Sequence, residues 1–294
     1  MQPVSWNRDV RERQHQGEQV TPLPRSAGGA GAILDSALDL RDRDILQRVR
    51  AAIRHRQVML AFQPIVQAGG DRRIAFHEAM LRVMDETGRI VPAREFIFEV
   101  EELEEGRILD CLALEQGLAA LKRRPDLRLS INMSARSIGY RRWMRVLEKG
   151  LAADPTLAER LILEISESSA MLLPELVIGF MAELHRRGIT FAMDDFGAGP
   201  TVLRHFKRFS FDILKIDGQV IRDLDRDPDN QVLLRAIVAI AEQFDMVTVA
   251  ESVETRAEAD LAVAAGVNCL QGYYHGAPVA FPGGLDEPSQ ASAL

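Results

Sequence analysis

Three features of the 294-residue sequence predict an α/β fold, a TIM-like (β/α)8 barrel with its first strand antiparallel. Eight short apolar runs recur along the chain. Stretches with helical spacing of apolar residues separate most of them. The first two runs, however, are joined only by QAGGDRR (67–73). Strands alternating with helices build a helix-covered parallel sheet, and eight such units close into a barrel. A parallel crossover needs a dozen or more residues, so the first pair has to be an antiparallel hairpin.

The predicted strands are MLAFQPIV (59–66), IAFHEAMLRV (74–83), RLSINMS (128–134), LILEIS (161–166), TFAMDDF (190–196), ILKID (213–217), TVAESV (248–253) and VNCLQGYY (267–274). Helical periodicity marks PELVIGFMAELHRRG and NQVLLRAIVAIAEQF between later strands, and a first helix carrying Ile45, Leu46, Val49 and Ile53. Residues 1–40, with TPLPRSAGGAGA, lack apolar periodicity and are expected to be a flexible tail. The barrel is expected over 41–282 and a second tail over 283–294.

Composition narrows the function. Apolar residues make up 47% of the chain, but no run is long enough to span a membrane. The N-terminus has no apolar stretch behind its charges, so a secretory signal is not expected. Cys111 and Cys269 are too few for a disulfide framework and fit the reducing cytoplasm. A net charge of −7 argues against a broad nucleic-acid-binding face. An anionic substrate would therefore need metals or a few placed Lys and Arg residues.

Polar residues sit at or near the C-terminal ends of seven of the eight predicted strands: Glu78, Asn132, Glu164, Asp194 with Asp195, Lys215, Glu251 and Gln271. In this fold such positions converge on one site. One acidic residue at a strand end is commonly a helix cap; seven strands behaving alike would need a separate reason for each. Carboxylates with amide oxygens form a hard donor set suited to Mg2+ or Mn2+. Asp194 and Asp195 can serve two ions, the arrangement that clamps in-line attack on a phosphodiester. Because successive strand residues face opposite ways, both reach the site only if the strand ends there and turns, and FGAG (196–199) offers the turn. Lys215 is either a counter-ion among the acids or a group that positions the attacking water or takes its proton. Arg82 has the facing parity of Glu78 and either binds a phosphate with its fork or makes a surface salt bridge.

These residues stand in motifs that resemble one family. HEAMLR is similar to the EALLR signature of EAL-domain cyclic-di-GMP phosphodiesterases. AFQPIV resembles the family's opening strand, INMS its Asn strand, LEISES its LEITES, DDFGAG its DDFGTG, LKIDGQVI its LKID strand, AESVET its AEGVET and QGYYHGAP its QGY-and-Pro ending. The resemblance runs in order from about residue 45 to 282. It implies hydrolysis of cyclic di-GMP to linear pGpG with two Mg2+ or Mn2+ ions, in a homodimer. It implies Glu78, Asn132, Glu164, Asp194 and Asp195 as metal ligands, and Lys215, Glu251 and Glu254 as catalytic residues. Arg82, Gln271, Gln63 and Pro64 would contact substrate, and Glu167 would anchor the loop after DDFG.

The chain departs from the family pattern at Met80 for Leu, Val83 for Trp and Ser252 for Gly, and in the loop GAGPTVL (197–203), where Ala198 and Pro200 replace Thr and Tyr. The Val83 exchange is expected to loosen the pocket edge. The loop change touches the segment that couples metal binding to dimer formation in the family. Two other functions stand beside hydrolysis: a catalytically weak or inactive receptor that binds cyclic di-GMP and signals through a protein partner, and an unrelated TIM-barrel enzyme. The latter would use a Gly-rich phosphate site after the last two strands, where this chain has AESVE and LQGYY.

Overall fold

The computed structural model describes residues 44–199 and 207–280. A helix α1 over residues 44–54 leads into the hairpin of β1 (Val58–Gln67) and β2 (Ile74–Met84). The remaining barrel strands are β4 (Leu129–Asn132), β5 (Leu161–Ser166), β6 (Thr190–Phe196), β7 (Ile213–Ile216), β8 (Val247–Ala250) and β9 (Cys269–Gln271). β2 through β9 of this set pair in parallel, and β1 closes the circle antiparallel to both β2 and β9. All eight predicted strands are staves of the barrel, and the short first link is a hairpin.

One strand lies outside the prediction. β3 (Ile90–Pro92) pairs antiparallel with the far end of β2. Asp85 makes the turn between them: its Oδ1 accepts from Thr87 N, Thr87 Oγ1 and Arg89 N. β2 therefore runs past its last pairing with β4 at Ala79, and Glu78 sits in mid-strand, next to that last pairing.

Helices cover the barrel: α2 (Ile97–Val100), α3 (Glu104–Arg123), α4 (Arg141–Ala153), α5 (Glu167–Leu172), α6 (Pro174–His185), α7 (Gly218–Ile221), α8 (Pro228–Gln243) and α9 (Arg256–Ala264). Local chemistry sets several starts. Asp227 caps α8 by accepting from Asp229 N and Asn230 N, with Pro228 in the first turn where a missing N–H costs nothing. Thr255 and Glu258 form a reciprocal capping box at α9. No described helix is long and apolar enough to cross a membrane.

The strands place the site by simple alternation. Ile65, Phe76, Ile162, Ala192, Ile213, Val249 and Cys269, from seven different strands, pack together inside the barrel. Residues two apart on a strand share a face. Gln63, Glu78, Glu164, Asp194, Lys215, Glu251 and Gln271 each lie two positions from one of these apolar residues. The polar layer is therefore stacked on an apolar plug at the end where the parallel strands finish.

Candidate active site

Lys215 is the hub of this layer. It is 1% exposed, and its Nζ lies 2.7 Å from Glu251 Oε1, 2.9 Å from Glu164 Oε2, 2.9 Å from Asp194 Oδ1 and 3.1 Å from Glu78 Oε2. A second ring of amides holds Glu78: Asn132 Nδ2 donates to Oε1 at 2.9 Å and Gln271 Nε2 to Oε2 at 2.6 Å. Gln271 Nε2 also reaches Gln63 Oε1 at 3.1 Å, and Gln63 Nε2 donates to the Gly276 carbonyl.

Asp195 reaches the same site by a different route from the one expected. β6 continues to Phe196, but its register with β7 shifts between Met193 and Phe196, and Asp195 has φ 56°. The left-handed residue itself reverses the facing, so two consecutive carboxylates converge without the strand ending. Asp194, Asp195 and Glu251 each present an oxygen within 4.8 Å of the others' oxygens, a geometry that can hold a metal ion.

The charges do not balance. Glu78, Glu164, Asp194 and Glu251 share one ammonium, and Asp195 adds a fifth carboxylate beside Asp194 and Glu251. Burial pushes the Glu164 carboxyl up to about 8, against the pull of Lys215. Burial and then Asp194 push Asp195 up to about 6. Burial likewise raises Glu251 well above the usual carboxylate range. Glu78 goes the other way: burial opposes its charge, but Lys215 and the amide donors outweigh it. Burial works against the charge of Lys215 too, yet its four carboxylates hold it well above its ordinary value. Glu164 Oε1 is sealed from solvent without a hydrogen-bond partner among the described residues. An oxygen-rich set with excess negative charge and an orphaned buried oxygen fits hard divalent cations.

Above the cluster opens a cavity of about 500 Å3, lined by Glu78, Asn132, Asp194 and Asp195 and, further out, by Arg82, Arg94, Phe98, Glu101 and Asp110. Arg82 is half-buried. Its guanidinium donates to the Leu81 carbonyl and to Met80 Sδ, and it has no carboxylate ion-pair partner among the described residues. Met80 thus helps to orient Arg82.

A family model described as EAL domain matches residues 46–278. The chain belongs to the EAL domain family. The bifunctional diguanylate cyclase/cyclic di-GMP phosphodiesterase MucR of Pseudomonas aeruginosa is 30% identical over 251 residues, covering 80% of this chain and 35% of MucR. The cyclic di-GMP phosphodiesterase PdeF of Escherichia coli is 28% identical over 264 residues, covering 88% of this chain and 35% of PdeF. The chain thus spans about a third of the length of these relatives. A solved structure described as the PaMucR phosphodiesterase in complex with c-di-GMP superposes with a TM-score of 0.70 at 28% identity, covering 80% of this chain and 97% of that one.

Within this EAL domain the barrel gathers Glu78, Asn132, Glu164, Asp194, Asp195, Lys215 and Glu251, with Gln271 and Gln63 behind Glu78. The two glutamines belong to the layer that holds Glu78 and do not line the cavity. Glu167, buried at the start of α5, accepts from Gly197 N at 3.3 Å and so touches the loop it was expected to anchor. Three further residues stand as follows. Pro64 has the opposite parity to Gln63, stands across from His77 and abuts Gly276 on the outer side of the wall. Glu254 is exposed, and its amide N–H is bound by Glu258. Val83 is buried with Val49, Val58, Val100 and Leu109, away from the cavity wall. Pro200 and the rest of 200–203 lie outside the described residues.

Two residues escaped the sequence reading. Asp110 lines the cavity, and its Oδ2 accepts from Ser134 N and Ser137 Oγ, which steadies the segment after Asn132. Burial raises its carboxyl to about 6. Its signal was an acid inside the apolar run RILDCLAL. Glu258 is the other, and its signal was the Thr-x-x-Glu spacing of a capping box.

Proposed function

We propose that this EAL domain hydrolyses one phosphodiester bond of cyclic di-GMP to linear pGpG, with two Mg2+ or Mn2+ ions held by Glu78, Asn132, Glu164, Asp194 and Asp195. The observation that carries the reading is the set of four carboxylates on Lys215, with Asp195 beside Asp194 and Glu251 and with Asn132 on Glu78, at the base of the cavity. The cyclic di-GMP phosphodiesterase activities of MucR and PdeF support it. When bound, the cations would supply Lewis acidity and charge neutralisation at the phosphate. The chain's own residues do the remaining work. Arg82, which has no carboxylate partner among the described residues, offers its guanidinium to a phosphate oxygen. Lys215 and Glu251 orient the water whose oxygen bonds to phosphorus as the P–O3′ bond breaks; a proton from that water ends on the released O3′ hydroxyl, leaving the 5′-phosphate of pGpG. Of the uses left open for Lys215, holding water suits an ammonium ringed by four carboxylates better than accepting a proton.

The test is incubation of the purified chain with cyclic di-GMP and Mg2+ or Mn2+, followed by chromatography. Conversion to pGpG that a chelator stops is expected. Tight binding with no product under either metal would assign the receptor function instead.

The same proposal extends to assembly and organisation. Exposed Leu172, Leu173 and Leu176 cluster where α5 meets α6, beside the Glu167 anchor, and support a homodimer. The buried free cysteines suit a cytoplasmic setting. Residues 41–282 would be the catalytic unit. Deleting residues 1–40 is expected to leave melting temperature and turnover nearly unchanged; a drop of many degrees would mean that this segment packs on the barrel.

A further inference from the structure

The segment that presents Glu251 turns on a strained residue. Ser252 has φ 55°, in the left-handed region, which strains an L-residue and which glycine adopts freely. Tertiary bonds hold it there. Glu251 N donates to the Ile216 carbonyl at 3.1 Å, Val253 N to Gln271 O at 2.9 Å, and Tyr274 N to Val253 O at 3.1 Å.

The Ser252 side chain lies against Gly218, the first residue of α7. A Cβ at position 218 would stand 2.6 Å from Ser252 Oγ and 2.7 Å from Ser252 Cβ, where ordinary contact begins at 3.4 Å. The hydroxyl can rotate away. The Cβ cannot, because it is rigidly joined to the backbone. A side chain at 252 therefore fits only opposite a hydrogen at 218.

We infer that Gly218 and Ser252 are a matched positioning pair that sets the direction of Glu251 relative to Lys215; the inference rests on the role proposed for those two residues. Ser252 directly follows Glu251, and Gly218 follows Lys215 by three residues, so the contact joins the two loops at their roots. Neither loop is free to slide. Asp217 Oδ1 is bound by Gln219 N at 2.7 Å. Glu258 ties the segment after α7 to the one after Ser252, accepting from Asp223 N through Oε1 and from Glu254 N and Thr255 N through Oε2. A push at the 218–252 contact must pass to Glu251, whose oxygen is 2.7 Å from Lys215.

The experiment is a cycle of Gly218→Ala, Ser252→Gly and the double variant, read by turnover, by Mn2+ binding in calorimetry and by melting temperature. Calorimetry is run below the melting point of every variant. Misplacement by about 1 Å costs on the order of 10²-fold in rate. That loss is expected for Gly218→Ala, together with weaker Mn2+ binding and a lower melting temperature. Adding Ser252→Gly should return all three close to wild type. A Gly218→Ala protein with wild-type turnover and metal affinity would overturn the inference. So would a double variant as impaired as the single one, since the fault would then lie in α7 alone. If Gly218→Ala does not fold, recovery in the double variant still decides the matter. A wild-type chain that yields no pGpG would defeat the proposed activity, while Mn2+ binding and melting would still report the coupling of the pair.

Discussion

Lys215→Ala is expected to lower cyclic di-GMP turnover by roughly 10²–10⁴-fold, the range for losing a group that manages the reacting water. Binding of the dinucleotide should change little, because Arg82 and the cavity walls are untouched. The same substitution should destabilise the metal-free protein by about 3–5 kcal/mol, the usual cost of leaving buried charges without their partner. Four carboxylates lose their shared cation at once, and the cavity side of the cluster offers no other ammonium among the described residues. The stability loss should shrink when Mg2+ is added, because the cation replaces the missing charge, whereas the rate loss should persist at saturating metal. Steady-state kinetics over a metal titration, together with urea unfolding with and without chelator, separates the two effects. A variant with wild-type turnover at saturating Mg2+ would reduce Lys215 to a counter-ion.

The second large effect is a stability that falls as pH rises. Asp195 has a folded-state pKa of about 6 and Glu164 of about 8, and Glu251 is raised well above the ordinary range. Each binds its proton more tightly in the folded chain than in the unfolded one, where carboxyls titrate near 4. The stability they contribute is therefore complete below about pH 4 and is lost as pH climbs through their folded values. Glu78, held below its ordinary value, opposes this and loses its contribution on acidification. Asp110, at about 6, adds to the first group but lies apart from the metal candidates. The metal-free protein should thus lose stability between about pH 5 and pH 8. Mg2+ should flatten the curve and leave mainly the Asp110 share below pH 7. Urea unfolding across this range in chelator and in Mg2+ measures it. A metal-free stability that rises steadily with pH would contradict the crowding of uncompensated carboxylates described above.

The sequence by itself determined the barrel and most of the polar layer. Strand period is a local property, so the pairs Phe76 with Glu78, Ile162 with Glu164, Ala192 with Asp194, Ile213 with Lys215 and Val249 with Glu251 were already written as apolar-then-polar on one face. The seven-residue link between the first strands settled their antiparallel sense for the same local reason. Tertiary structure decided the cases in which backbone geometry breaks the alternation or a neighbour claims the residue. Asp195 joins the site because the shifted β6–β7 register sustains a left-handed residue, not because the strand stops. Gln63 turns inward and Pro64 outward, a choice set by the pairing of β1 with β2. The Glu254 amide is held by the α9 cap while its side chain stays exposed, and Asp110 comes to the cavity from a helix wall that no strand-end pattern could reveal. The fit of Ser252 against Gly218 depends on two loops 34 residues apart meeting within van der Waals reach. Periodicity encodes which face a residue takes, whereas strain and close approach exist only once distant segments hold each other in place.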